Sequence, residues 1–386
     1  MDPSALQNLL IRWCHQNSGS DHVAGLEAMR GLLATEFATL PGATVEHITL
    51  RDTPAKALRV RVRPAAPVQF LCSGHYDTVY GADHPFQTCS QPEPDILRGP
   101  GVADMKGGLV VMLAALRALE SSPAAKNLGY EVLLTPDEET GSHGSAPVIA
   151  ESAARHRFAL VFEPARANGD LVRSRMGTGV FTLTVHGRAA HAAQVPNDGR
   201  NAILALCELL PAVAALPAKL PGVLVNVGHI TGGDAVNIVP DHAGAKINVR
   251  ITNRGDDRRV RAALEEIAAP VQAREGFRVE ITGGFDRGPK VETPAETALF
   301  AAWQTCAREA GVNLDWQHVG GGSDGNLLSA AGLPNLDGLG PVGAHLHSDR
   351  EQIRLSSLAE RARIAASFLT KVADHLIPLP DANHPS

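Results

Sequence analysis

Three apolar runs in this chain end in the same way, and that repetition limits what it can fold into. Val68–Gly74 gives way to His75 and Asp77. Tyr130–Thr135 gives way to Asp137, Glu138 and Glu139, and Phe158–Phe162 is closed by Glu163 and Pro164. Between the first two runs, Asp104 precedes a segment in which Val110, Val111, Leu113, Ala114, Leu116 and Leu119 recur at near-helical spacing. Short buried strands alternating with helices predict a doubly wound α/β fold with a mixed sheet. Ligands of such sheets bind outside the carboxyl ends of the strands, which is where this chain sends its acids and imidazole.

The pattern changes near residue 176. Residues 176–194 alternate as an amphipathic strand, 201–216 read as a helix, 223–233 and 243–252 as strands, 256–274 as a helix and 277–284 as a strand. The order β-α-β-β-α-β is the split βαβ arrangement of an α+β sandwich. The expectation is a domain at 177–284 inserted into a catalytic domain made of 1–176 plus 285–386. The closing PLPDANHPS reads as a tail.

Gathering His75, Asp77, Asp104, Glu138, Glu139 and Glu163 at one sheet edge would be self-repelling without a cation. Imidazoles and carboxylates without thiolate suit a catalytic Zn²⁺ site, with Mn²⁺ or Co²⁺ as substitutes. The five cysteines, Cys14, Cys72, Cys89, Cys207 and Cys306, are scattered and odd in number, which argues against a disulfide scaffold or a thiolate zinc site. Formal net charge is -6, and the basic cluster Arg254, Arg258, Arg259 and Arg261 is interleaved with Asp256 and Asp257, so nucleic acid is not the expected partner. The chain opens without a basic-then-apolar leader pattern, and no apolar run is expected to approach the ~18–20 residues of a membrane span. These readings predict a soluble, cytoplasmic protein.

In this order, GHYDTV, GPGVADMKGG, TPDEETGS, FEPA, HGRAAHA and HSDRE resemble the motifs of the M20 family of metallopeptidases, most of all its glutamate carboxypeptidase branch. The likeness spans nearly the whole chain. It implies a dinuclear zinc centre, with one ion held by His75, Asp104 and Glu163, the other by Asp104, Glu139 and His347, and Asp104 bridging. Asp77 would fix the His75 tautomer. Glu138 would be the general base for a metal-activated water. His191 would stabilise the oxyanion from the neighbouring subunit of a homodimer formed by the inserted domain. Asn237 and Arg250 would hold the end of the substrate, and Arg287 is a second carboxylate-binding candidate, in a GGFDRGP run with Gly288 where the family commonly has Pro.

Other residues in these runs have plainer readings. Asp137 reads as a turn or cap residue, and His143 and His84 as loop residues. The H-S-x-x-E form selects His347 over His345. Gly320–Gly322 lack the Gly-Lys-Ser/Thr of a phosphate loop, so nucleotide binding is rejected.

The resemblance thus implies a zinc hydrolase of amide bonds next to a free carboxylate, acting on a small peptide or N-acyl amino acid without nucleic acid or membrane. The alternatives are an N-acyl-amino-acid deacylase of the acetylornithine or succinyl-diaminopimelate type and a non-catalytic relative that binds ligand.

Overall fold

The structure is a computed structural model describing residues 2–193 and 198–379; most of the closing tail lies outside the described residues. The chain divides into two compact units. One comprises residues 1–174, 292–319 and 323–386, and the other 175–291 with 320–322.

The first unit is built on an eight-stranded mixed sheet. At its centre Leu128–Thr135, Val68–His75, Phe158–Val161 and Asn335–Asp337 run parallel in that order. Thr44–Thr49 and Lys56–Val62 flank them antiparallel on one side, and Leu171–Arg175 and Trp316–Val319 lie beyond them on the other. The central strands read as continuous apolar runs because both faces are covered. On Val68–His75, Phe70 and Cys72 join one core cluster, whereas Leu71 joins another.

The larger cluster packs the sheet against the helices Pro3–Cys14, Val23–Phe37, Lys106–Glu120, Pro294–Glu309 and Ser356–Ala373 through Leu10, Met29, Leu113, Trp303 and Phe368. Ala146–Ala153 and Asp324–Ala330 cover the opposite face through Ile149 and Leu328. Thr293 starts the helix Pro294–Glu309 with a reciprocal cap to Glu296.

A small antiparallel sheet in the same unit joins Gly343–Ala344, Gln352–Arg354, Ile96–Arg98 and Ser90–Glu93. It sets the 345–351 loop against the 99–104 loop, two segments far apart in the chain.

The second unit follows the order strand Gly177–His186, helix Ala202–Ala214, strands Val223–Gly232 and His242–Ile251, helix Asp256–Gln272 and strand Arg278–Arg287. Its four strands form one antiparallel sheet. Alternate residues Phe181, Leu183 and Val185 of the first strand turn inward onto Leu206, Leu209, Val260 and Leu264 of the two helices.

One expectation needs correction. Residues 202–219 are, among the described residues, long and apolar enough to cross a membrane by length and composition alone. Here the stretch breaks at Ala215 into two helical pieces, and Ala205, Leu206, Leu209, Val213 and Leu216 pack inward on the unit's core. One buried face explains its apolarity without a bilayer.

Candidate metal centre

The parallel strands end level with one another. His75 pairs with Thr135 and Ser73 with Val161, so the residues just past each strand emerge at one edge. His75 closes its own strand, Glu138 and Glu139 follow Thr135 in a single helical turn, and Glu163 follows Val161 by two residues. Asp104 enters from the neighbouring loop at the start of Lys106–Glu120. That helix comes very close to the sheet. A Cβ on Gly108 would lie 1.8 Å from the Phe162 carbonyl oxygen, so only glycine lets Asp104 and Glu163 approach from their two elements.

Asp104 stands between the two histidines. Its Oδ1 lies 3.1 Å from His75 Nε2, and its Oδ2 lies 3.2 Å from His347 Nε2. Glu163 sits on the His75 side at 3.6 Å, and Glu139 sits on the His347 side at 3.2 Å. Ligand atoms of His75, Asp104 and Glu139 all fall within 4.8 Å of one another. His347 reaches this group from a left-handed backbone conformation, φ 58°. It is His347, not His345, whose Nε2 meets Asp104 and Glu139.

Asp77, fully buried, ties two parts of the site together. Its carboxylate oxygens accept the Glu138 N–H at 3.2 Å and the Glu139 N–H at 3.1 Å, and Oδ1 lies 3.3 Å from His75 Nδ1. His75 is therefore oriented with Nε2 toward Asp104. Glu138 is buried beside Glu139, its backbone fixed by the same carboxylate. Asp137 closes the following turn, accepting the Gly144 and Ser145 N–H groups at 2.8 and 3.1 Å. His84 packs on Tyr80 and accepts the Phe86 N–H, in keeping with its loop reading.

The electrostatics are those of a site shaped for cations. Burial opposes charge on His75, yet its bonds to Asp104 and Asp77 hold the imidazole well above its usual pKa. The bonds of His347 to Asp104 and Glu139 push it up to about 11. Asp104 is held low against burial by bonds to both histidines, whereas burial and the Asp104 charge raise Glu139. Glu139 Oε1 is buried without a hydrogen-bond partner among the described residues. Two imidazoles and three carboxylates, one of them with an orphaned oxygen, fit a pair of divalent ions of the zinc, manganese or cobalt type. Those ions would divide the residues into His75, Asp104 and Glu163 on one side and Asp104, Glu139 and His347 on the other.

The remaining expected residues lie in the second unit. His191 is exposed, and its strand pairs with Ile238, which sets it next to Asn237; the Asn237 carbonyl accepts the Ala192 N–H at 3.0 Å. Arg250 is half-buried and bonds to Asn248. Arg287 is buried at the end of its strand, opposite Thr178.

The family model for peptidase family M20/M25/M40 matches residues 71–371. The chain belongs to this family. It is an M20-type enzyme of the metallopeptidase and metallohydrolase kind, which sets aside the non-catalytic reading. Among curated M20 relatives, carboxypeptidase G2 of Pseudomonas sp. (strain RS-16) is 30% identical over 91% of this chain and 85% of its own length. Succinyl-diaminopimelate desuccinylase of Gluconobacter oxydans (strain 621H) is 30% identical over 95% of this chain and 97% of its own. Among solved structures, aminopeptidase PepT from Bacillus cereus ATCC 10987 superposes with a TM-score of 0.80 at 20% identity, covering 97% of this chain and 99% of that one.

One residue at this M20 site was not singled out in the sequence. Glu351 is fully buried and bonds to the Asp104 loop. Its only sequence signal was its place at the end of HSDRE.

Proposed function

We propose that this enzyme hydrolyses an amide bond adjacent to a free carboxylate, releasing a C-terminal acidic residue such as glutamate, with two zinc ions at the centre. The observation that carries the reading is Asp104, whose two oxygens face two different histidines at 3.1 and 3.2 Å. A pair of divalent ions there would supply an acidic water at neutral pH and polarise the scissile carbonyl.

The chain's own groups do the rest. Glu138 takes the proton from the attacking water and returns it to the leaving nitrogen. Asp77 keeps His75 and the Glu138–Glu139 backbone in register. Arg250 and Asn237 hold the substrate carboxylate, Arg250 through its planar fork of donors, with Arg287 as a further anchor. His191 donates to the developing oxyanion.

Kinetic comparison of α- and γ-glutamyl peptides with N-acetyl and N-succinyl amino acids tests the substrate class. Preference for the glutamyl compounds supports the reading. Preference for N-succinyl-diaminopimelate favours the second reading, a desuccinylase, which rests on the similarly complete match to the Gluconobacter enzyme. Under either reading, converting the substrate's free carboxylate to an amide should remove most turnover, because the half-buried Arg250 is then left without its partner. Arg250→Lys should be poor with the acid. Equal rates on acid and amide would contradict the carboxylate clamp.

The homodimer belongs to the same proposal. Val223–Gly232 is an edge strand, and Leu224, Ile230 and Leu204 are exposed on the second unit, whereas Leu206 faces its core. An open edge with apolar side chains suits a two-fold contact. His191 would then serve the partner's centre. Mixing inactive His191→Ala with inactive Glu138→Gln subunits should restore activity through one intact composite site per heterodimer. Subunit exchange without recovery would reject that arrangement.

A further inference from the structure

We propose that Glu351 is a positioning residue for the metal centre, its buried carboxylate holding three ligand-bearing segments in one frame; this rests on the two-metal reading above. Glu351 Oε1 accepts the Ala103 N–H at 2.8 Å and the Asp104 N–H at 3.0 Å. Its Oε2 accepts the Gly101 N–H at 3.2 Å and lies 2.7 Å from the Tyr80 hydroxyl. The loop that delivers Asp104 is thus wound around one carboxylate.

The other two segments are tied to the same residue. The Glu351 N–H donates to the Ser348 carbonyl at 3.0 Å, closing the turn that starts just after His347. The Tyr80 hydroxyl is also 2.8 Å from that carbonyl, and Tyr80 lies in the segment that leaves His75 and Asp77. The Glu351 carbonyl accepts the Gly99 N–H at 3.1 Å, so the residue grips the 99–104 loop from two sides. Among the described residues, Glu351 bonds to the backbone N–H of Asp104 and not to its carboxylate. It acts through the backbone of Asp104 and the turn of His347, which fixes the separation of the two groups that Asp104 must bridge.

Only a carboxylate meets this demand. Four donors converge on two oxygens, and an ionised carboxylate accepts all of them. Glutamine has nearly the same shape but one acceptor oxygen. Its amide would confront two of the four donors and leave the Gly101 N–H, which cannot reverse its role, without a partner. The loop should then shift and carry Asp104 with it. Partners that orient metal ligands typically account for about 10–100-fold in metal affinity.

The test is competition between metal-free full-length protein and a chromophoric chelator for Zn²⁺, run on wild type, Glu351→Gln and Tyr80→Phe, with kcat and KM measured at saturating zinc. Wild type should take up two equivalents. Glu351→Gln should bind zinc about 10–100-fold more weakly and, once saturated, show a lower kcat with KM unchanged. Tyr80→Phe, which removes one of the four donors, should move in the same direction by less. Wild-type zinc affinity in a folded Glu351→Gln protein, even with a lowered melting temperature, would overturn the positioning role and leave the two-metal reading intact. Wild-type protein that takes up no zinc would overturn the reading beneath it. If Glu351→Gln does not fold, Tyr80→Phe decides, and unchanged zinc affinity there overturns the proposal.

Discussion

Glu138→Gln should lower turnover by about 10²–10⁴-fold, the usual cost of losing a general acid–base group, while metal content stays at the wild-type level. The expectation follows from where residue 138 sits. Its N–H is held by Asp77, as is that of Glu139, but it is Glu139 whose carboxylate meets His347. Exchanging one oxygen for an amide nitrogen at 138 removes the proton acceptor and keeps the volume. The same exchange at 139 should weaken metal retention, because Glu139 carries the orphaned buried oxygen. Metal analysis beside steady-state kinetics separates the two. Near-normal turnover in Glu138→Gln would remove it from the role of base.

Asp104→Ala should empty the centre. One carboxylate meets both histidines, so its loss affects both halves at once. Affinity should fall by more than the ~10–100-fold that follows loss of an outer partner, with metal content dropping from two equivalents toward none and turnover lost with it. Circular dichroism would check that the fold survives. A variant that retains one tightly held equivalent would show that the halves are independent. The pH dependence carries the same information. The carboxylates beside them hold both His75 and His347 above their usual pKa, His347 at about 11, which favours their protonated forms. Metal must displace those protons, and affinity therefore falls as pH falls, by about tenfold per unit for each proton displaced. Titrations in buffers of different ionisation enthalpy would count the protons released.

The central sheet was legible because its strands are buried on both faces and end abruptly. A run such as Phe158–Phe162 can only be inside, and the acid after it must lie at an edge. That logic groups His75, Glu138, Glu139 and Glu163 before any coordinates. His347 was different. No periodicity surrounds it, since the strands that carry its loop are only two and three residues long, and it was marked by motif likeness alone. Glu351 shows the limit more sharply. In sequence it is one more charged residue after Asp349 and Arg350. Its significance lies in four donors, three of them backbone groups of residues 101, 103 and 104, and no local pattern announces such a partnership. The stretch 202–219 runs against the expectation that no apolar run approaches the length of a membrane span. Counted whole, it is long enough, and only its packing against the second unit's sheet shows what the apolar residues are for.

The order in which the centre's residues leave the ribosome has a consequence for biosynthesis. His75, Asp104, Glu139 and Glu163 are all translated before the second unit begins, whereas His347 and Glu351 follow after it. A nascent chain stalled inside the second unit already carries four of the acids and imidazoles but lacks the residue that balances Asp104 on its other side. The pairing of Asp104 with His347 therefore forms only after the chain has passed through the second unit and returned to the first.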